Sequence, residues 1–133
     1  VNGPRPVGGV EIAGGRRVFA PGEEVAGAAA WVLPEDPARV ELRLHWRTEG
    51  RGDADVGVVA SERFEAPGRR DRRSFAFRLP EGPYSFSGSL ISLTWGLELV
   101  TEPFGALGRV EIVVSPLGAE LRLRPLEGEG GPA

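Results

Sequence analysis

The sequence predicts an all-β protein built as a two-sheet antiparallel β-sandwich on three observations. Several long segments alternate apolar and polar residues, turn-forming residues recur about every ten to fifteen positions, and no segment carries the apolar period or the caps of a helix. Twenty glycines and twelve prolines in 133 residues supply those turns and are too many for a helical protein.

Taken in order, residues 1–8 form a glycine- and proline-rich lead-in around Arg5. Strands are expected near 9–13, 16–20, 24–33, 38–48, 55–65, 71–79, 89–101, 108–115 and 119–125. Turn chemistry joins them at Pro21-Gly22, Pro34 to Pro37, Gly50 to Gly52, Pro67-Gly68, Glu102 to Gly105 and Pro116 to Gly118. In the clearest strand Val40, Leu42, Leu44 and Trp46 point inward, while Glu41, Arg43, His45 and Arg47 point out. Phe75, Phe77 and Leu79 share the inner face of another. Residues 80–88 then form a shaped connection, because Pro80 lacks a ladder amide, Pro83 restricts φ and Gly88 can adopt positive φ. From Leu90 the alternation resumes, with Ile91, Leu93, Trp95, Leu97 and Leu99 on one face of a strand longer than usual. Residues 9–126 are expected to be one domain, and residues 127–133 a flexible Gly/Glu tail.

All sixteen basic residues are arginine, and the chain has no lysine, cysteine or methionine. Few thermolabile side chains and abundant proline are features of heat-stable proteins. The melting midpoint is therefore expected above the ordinary mesophile range of roughly 45–65 °C, a result that calorimetry checks. Without cysteine there is neither a disulfide framework nor a thiolate metal site. The net charge of −3 argues against a dedicated nucleic-acid partner, and no apolar run reaches the ~18 residues of a transmembrane segment.

The ordered set Pro21-Gly-Glu-Glu-Val-Ala-Gly27, Leu44-His-Trp-Arg-Thr-Glu-Gly50, Phe75-x-Phe-x-Leu-Pro80 and Pro83-x-Ser-Phe-x-Gly88, leading into Leu90-Ile-x-Leu-x-Trp95, resembles an arrestin-type domain. It is similar to the arrestin-like domain of bacterial sporulation-control proteins over about residues 9–115. The resemblance implies a β-sandwich scaffold for protein–protein contacts, with no common cofactor or reaction. Arrestins carry two such domains where this chain has room for one, and the chain lacks the lysines of phosphate-tail recognition, so receptor binding is not carried over. The matching residues are scaffold positions, and no catalytic or binding residue is transferred.

Candidate chemistry is sparse. His45 is the sole histidine, reads as a surface residue, and has no cysteine or second histidine with which to share a zinc ion. Ser85, Ser87 and Ser89 lack the spacing of an exposed nucleophile and read as turn serines bonded to backbone. Asp53 and Asp55 with Glu49 make an incomplete calcium set, and Arg51-Gly-Asp53 is a chance triplet in this alphabet. Arg69, Arg70, Arg72 and Arg73 form the one concentrated charge patch, suited to phosphate or an acidic partner, with a solvated strand balanced by Glu62 and Glu65 as the plainer reading. Arg73-Ser-Phe-Ala-Phe77 faintly matches an RNA-recognition strand, but the two helices such a domain needs are not predicted.

The expected function is therefore a non-catalytic, cytoplasmic interaction module that binds a protein partner of unknown identity. It would use strand edges, the outward face bearing Arg43, His45 and Arg47, or the Arg69–Arg73 patch, with no cofactor or metal. A homodimer is compatible with long edge strands. The alternative is a ligand-binding β-sandwich for carbohydrate, calcium or an anionic membrane surface. That alternative needs Tyr84 and Phe86 exposed beside a concavity, since Trp31, Trp46 and Trp95 are assigned to the core.

Overall fold

In the computed structural model, which describes residues 5–50, 54–88 and 91–122, every predicted strand segment is present as a strand. They are β1 (Val7–Ile12), β2 (Val18–Phe19), β3 (Glu24–Val32), β4 (Arg39–Gly50), β5 (Val56–Arg63), β6 (Arg70–Arg78), β7 (Phe86–Ser87), β8 (Ile91–Glu102), β9 (Gly105–Val114) and β10 (Leu121–Arg122), with a single 3-10 turn at Ala13–Gly15. Several boundaries differ from the sequence expectation, and β9, for one, begins at Gly105 rather than near 108. β1 begins at Val7, inside the assumed lead-in, because Val7 and Gly8 find partners in Val32 and Trp31. The connection 80–88 also contains β7, whose Phe86 pairs with Leu93. The tail at 127–133 lies outside the described residues.

The strands make two packed sheets. β1, β3 and β6 form a three-stranded antiparallel sheet in that order. In the larger sheet β8 is central, with β4 and then β5 on one side, while β9 and the short β7 share its other side. β2 runs parallel beside β9 and β10 parallel beside β7. Alternation explains the interior. Trp31, Leu33, Phe75, Phe77 and Leu79 face Leu42, Leu44, Trp95, Leu97, Leu99 and Ile112, all of them buried. Trp46 faces the same way but is half-buried, packed on the core margin over Gly57, where any side chain would collide with its indole.

Both buried indoles also fasten turns. Trp31 Nε1 donates to Gly68 O at 2.8 Å, holding the β5–β6 turn, and Trp95 Nε1 donates to Pro83 O at 2.8 Å, holding the 80–88 connection. A buried indole N–H without an acceptor would cost about 1–3 kcal/mol, so each tryptophan selects one path for a segment with little or no ladder of its own. Ser85 completes the anchoring: its amide donates to Val114 O at 2.8 Å and its hydroxyl accepts from Val114 N at 2.9 Å. The serine bonds backbone as expected, though that backbone belongs to β9 rather than to the turn.

At Pro21-Gly22, Gly22 adopts φ 79°. Glu23 caps this turn by accepting from Ala20 N at 2.9 Å and from Arg16 at 2.7 Å. Those bonds, the Arg16 one first, pull its carboxyl down to about 2.

Candidate interaction surfaces

Two surfaces hold the residues singled out by sequence, and a third is an exposed strand edge. On the outer face of the larger sheet, cross-strand pairing aligns Ser61, Arg43, Glu98 and Arg109 in one row and Val58, His45, Gly96 and Glu111 in the next. Arg47 lies in a third row between Val56 and Thr94. Arg43 and Arg47 are turned onto their own strand: Arg43 pairs with Glu41 at 3.4 Å and Arg47 with Glu49 at 3.3 Å. The face is therefore charge-balanced rather than basic.

His45 corrects the sequence reading. It does face outward, yet it is buried, with 6% of its surface exposed. The reason is Gly96 on the neighbouring strand, whose missing side chain leaves room for the ring; a Cβ there would lie 2.9 Å from His45 Cε1. His45 Nδ1 sits 2.9 Å from Gly96 O. A carbonyl only accepts, so Nδ1 carries the proton and Nε2 keeps its lone pair in the neutral ring. Beside it is a cavity of about 20 Å³ lined in part by Arg47, Thr94, Arg109 and Glu111, room for one water. A glycine within an otherwise bulky strand is the one sequence signal that a neighbour approaches closely.

Burial, and then the Arg109, Arg47 and Arg43 charges, depress the His45 pKa below its ordinary value, with Glu98 opposing. The unfolded chain then binds a proton before the folded one does. The His45 contribution is present above the unfolded pKa of about 6.5 and is lost as pH falls from there toward the depressed folded value. Melting midpoints measured from pH 7.5 to 5 should fall in the wild type, with a visibly shallower fall in His45→Gln. Equal slopes would remove His45 as the cause.

The Arg69–Arg73 cluster is not one patch. Alternation sends Arg70 and Arg72 to the outer face of β6, opposite Val32 and Ala30, while Asp71 and Arg73 take the other side. Arg73 folds onto Asp71 at 2.9 Å and donates to Ala66 O at 3.2 Å, holding the Asp71 carboxyl below its usual range. Arg69 lies 3.6 Å from Asp36, and Arg72 reaches Glu11 on β1 at 3.4 Å. The counter-charges are thus Asp71, Asp36 and Glu11 rather than the expected Glu62 and Glu65, because sheet pairing decides which carboxylates are near.

The third surface is the edge of β5, which pairs only with β4 among the described residues. Val56, Val58 and Val59 are 61%, 54% and 42% exposed along it. Phe64 N donates to Val40 O at 3.0 Å and Thr48 N to Asp55 O at 2.9 Å, so the ladder uses Phe64 at one end and Asp55 at the other. The pairing register shifts by one between Leu44 and His45, a bulge that takes up Val59. Alternation then turns the backbone groups of Val56, Val58, Ser61 and Arg63 away from β4.

The arrangement required for a ligand site is not met: Tyr84 is 39% exposed, but Phe86 is half-buried against the core. Asp55 and Glu49 are exposed, and no group of three potential metal ligands occurs among the described residues. Asp53, the Arg51–Asp53 triplet and Ser89 lie outside the described residues. Among the described residues no helix is long and apolar enough to cross a membrane.

Among solved structures the chain is similar to Spo0M, a sporulation control protein from Bacillus subtilis, with a TM-score of 0.58 and 18% identity over 84% of this chain and 50% of that one. The fold is arrestin-like. At this identity the likeness establishes the arrestin-like fold alone, and the chain spans about half the length of Spo0M. A superoxide reductase from Ignicoccus hospitalis (TM-score 0.47, 16% identity, 82% of this chain and 80% of that one) and the DNA glycosylase AlkC from Pseudomonas fluorescens (0.44, 12%, 85% and 31%) are also similar, too loosely to bear on function. No family profile and no curated protein matches the sequence.

Proposed function

We propose that this arrestin-like chain is a non-catalytic, cytoplasmic interaction module that recruits an extended segment of a partner protein along β5. The observation that supports this reading is the open β5 edge, where unpaired backbone groups and three exposed valines lie side by side. Strand addition draws affinity from main-chain hydrogen bonds and selectivity from alternate side-chain contacts, so it needs neither a cofactor nor a reactive constellation. Val56 and Val58 supply the apolar contacts. Behind them on the same face, Arg47 and His45 are their cross-strand neighbours. A regulatory role for Spo0M, a sporulation control protein, fits a module of this kind.

Val58→Pro tests the reading. Proline is tolerated on an edge strand where its missing N–H faces solvent, so this change removes an outward donor while leaving the β4–β5 ladder in place. Capture of a partner from cell extract, with denatured protein as control, should drop about tenfold or more in the variant, the effect of a lost hydrogen bond and a steric block. The melting midpoint should move by only a few degrees. Unchanged capture would eliminate the β5 edge, and no specific capture by the wild type would eliminate the module reading itself.

A further inference from the structure

A second surface is independent of β5. Antiparallel sheets with one solvated face normally alternate apolar and polar residues, and strands apolar on both faces are normally covered on both. β3, the middle strand of the three-stranded sheet, departs from that rule. Its inward residues are Val25, Gly27, Ala29 and Trp31, and its outward ones, after Glu24, are Ala26, Ala28, Ala30 and Val32. The flanking positions continue the apolar floor, since Val7 stands opposite Val32 and Gly9 opposite Ala30. No described element covers this face, and an open trough of about 840 Å³ lies over it.

Its rim is charged in one sense along β6. Arg70 and Arg72 project from the strand beside Val32 and Ala30, and Arg70 makes no ion pair among the described residues. Arg72 crosses β3 to reach Glu11, a path that only alanine-sized residues beneath it leave open. That contact is exposed at both ends, with side-chain exposures of 65% and 77%, so a competing carboxylate displaces Glu11 at little cost.

We infer that this face is the docking site for a single amphipathic helix of a partner protein, with a small-residue stripe flanked by carboxylates. Size decides against a second copy of this chain. Three strands and the six residues of β1 span about 14 Å by 20 Å, or roughly 300 Å² on each partner. That is well short of the ~800 Å² per partner of a stable protein dimer. A helix is about 10–12 Å across, and about fourteen residues cover 20 Å, so one helix matches the floor in both dimensions. Glycine and alanine beneath it permit close approach of the helix backbone. Arg70 and Arg72 then meet its carboxylates at the rim, where charge sets orientation and partner choice.

The test uses the full chain and a synthetic helical peptide of about fourteen residues with an alanine–leucine face flanked by glutamates, alongside the same peptide with lysines in their place. In amide NMR titrations the glutamate peptide should give saturable shifts at Gly9, Ala28, Ala30 and Val32. Affinity should be about tenfold or more weaker for the lysine peptide and for the Arg70→Ala/Arg72→Ala double variant. Ala30→Glu, a substitution on the outward, half-buried side of β3 that leaves both arginines in place, should abolish the shifts. Absence of saturable shifts, shifts confined to β5, or equal binding of the two peptides would overturn the inference. So would binding to phosphatidylcholine–phosphatidylserine vesicles without peptide binding, which would make the surface a membrane contact. Loss of β5 capture in Val58→Pro leaves these outcomes unaffected, so the two surfaces fail separately.

Discussion

Trp31→Ala is expected to lower stability by about 4 kcal/mol, the range for removing a buried aromatic. At roughly 4 °C per kcal/mol for a domain of this size, the melting midpoint falls by about 15 °C, measurable by circular dichroism. Three losses add up at this position. The indole is 1% exposed, it stacks on Phe64 with ring centroids 5.6 Å apart, and its N–H holds Gly68 O at 2.8 Å. Trp31→Phe separates them, keeping most of the packing and the stack while deleting the hydrogen bond, and should cost about 1–2 kcal/mol. A cost below that from Trp31→Ala would mean that the β5–β6 turn is not held from the core. Such a result would also weaken the placement of Arg70 and Arg72, which follow directly on that turn.

Gly27→Ala is expected to cost about 3 kcal/mol, at the upper end of overpacking effects, because a methyl here would be driven into the Glu11 carbonyl of β1. Among the described residues β1 is an edge strand that pairs with β3 alone, so the strain should be relieved by loosening that strand rather than by unfolding the whole sandwich. Amide hydrogen exchange should then speed up at Val10 and Glu11, while Leu97 and Leu99 on central β8 stay protected. Uniform loss of protection would show instead that the two sheets unfold as one unit. The substitution also probes function, since β1 supplies Val7 and Gly9 to the outer trough and Glu11 to the ion pair with Arg72.

The inward faces of β4, β6 and β8 were legible because alternation is a local property: two residues apart means one face, whatever the strand pairs with. Phe75 and Phe77, or Leu93, Trp95, Leu97 and Leu99, needed no knowledge of the remainder of the chain to be assigned to the interior. The turn residues were equally legible, since proline and glycine restrict or free their own backbone. The short β7 pairing was not, because two residues carry too little pattern to distinguish a strand from a shaped loop.

The candidate surfaces divide along the same line. Sequence placed His45 on the outward face of β4, and alternation alone fixes that. Whether an outward residue is exposed depends on its cross-strand neighbour, and here the neighbour is Gly96, 51 residues away. The five-residue arginine cluster was legible as charge, yet its alternation in β6 splits it, and Arg72 finds Glu11 61 residues away. The two-faced apolar character of β3 was written in the run from Ala26 to Val32, but nothing local says that its outer side is left uncovered.

Composition, turn chemistry and alternation thus determined the all-β class, most strand positions and the inward faces, because each depends on neighbours within a few residues. Strand order and register decided the rest: the open edge at β5, the buried His45 and the trough beside Arg70 and Arg72. Those depend on which distant strands lie about 5 Å apart, and that is set by packing the two sheets around one interior.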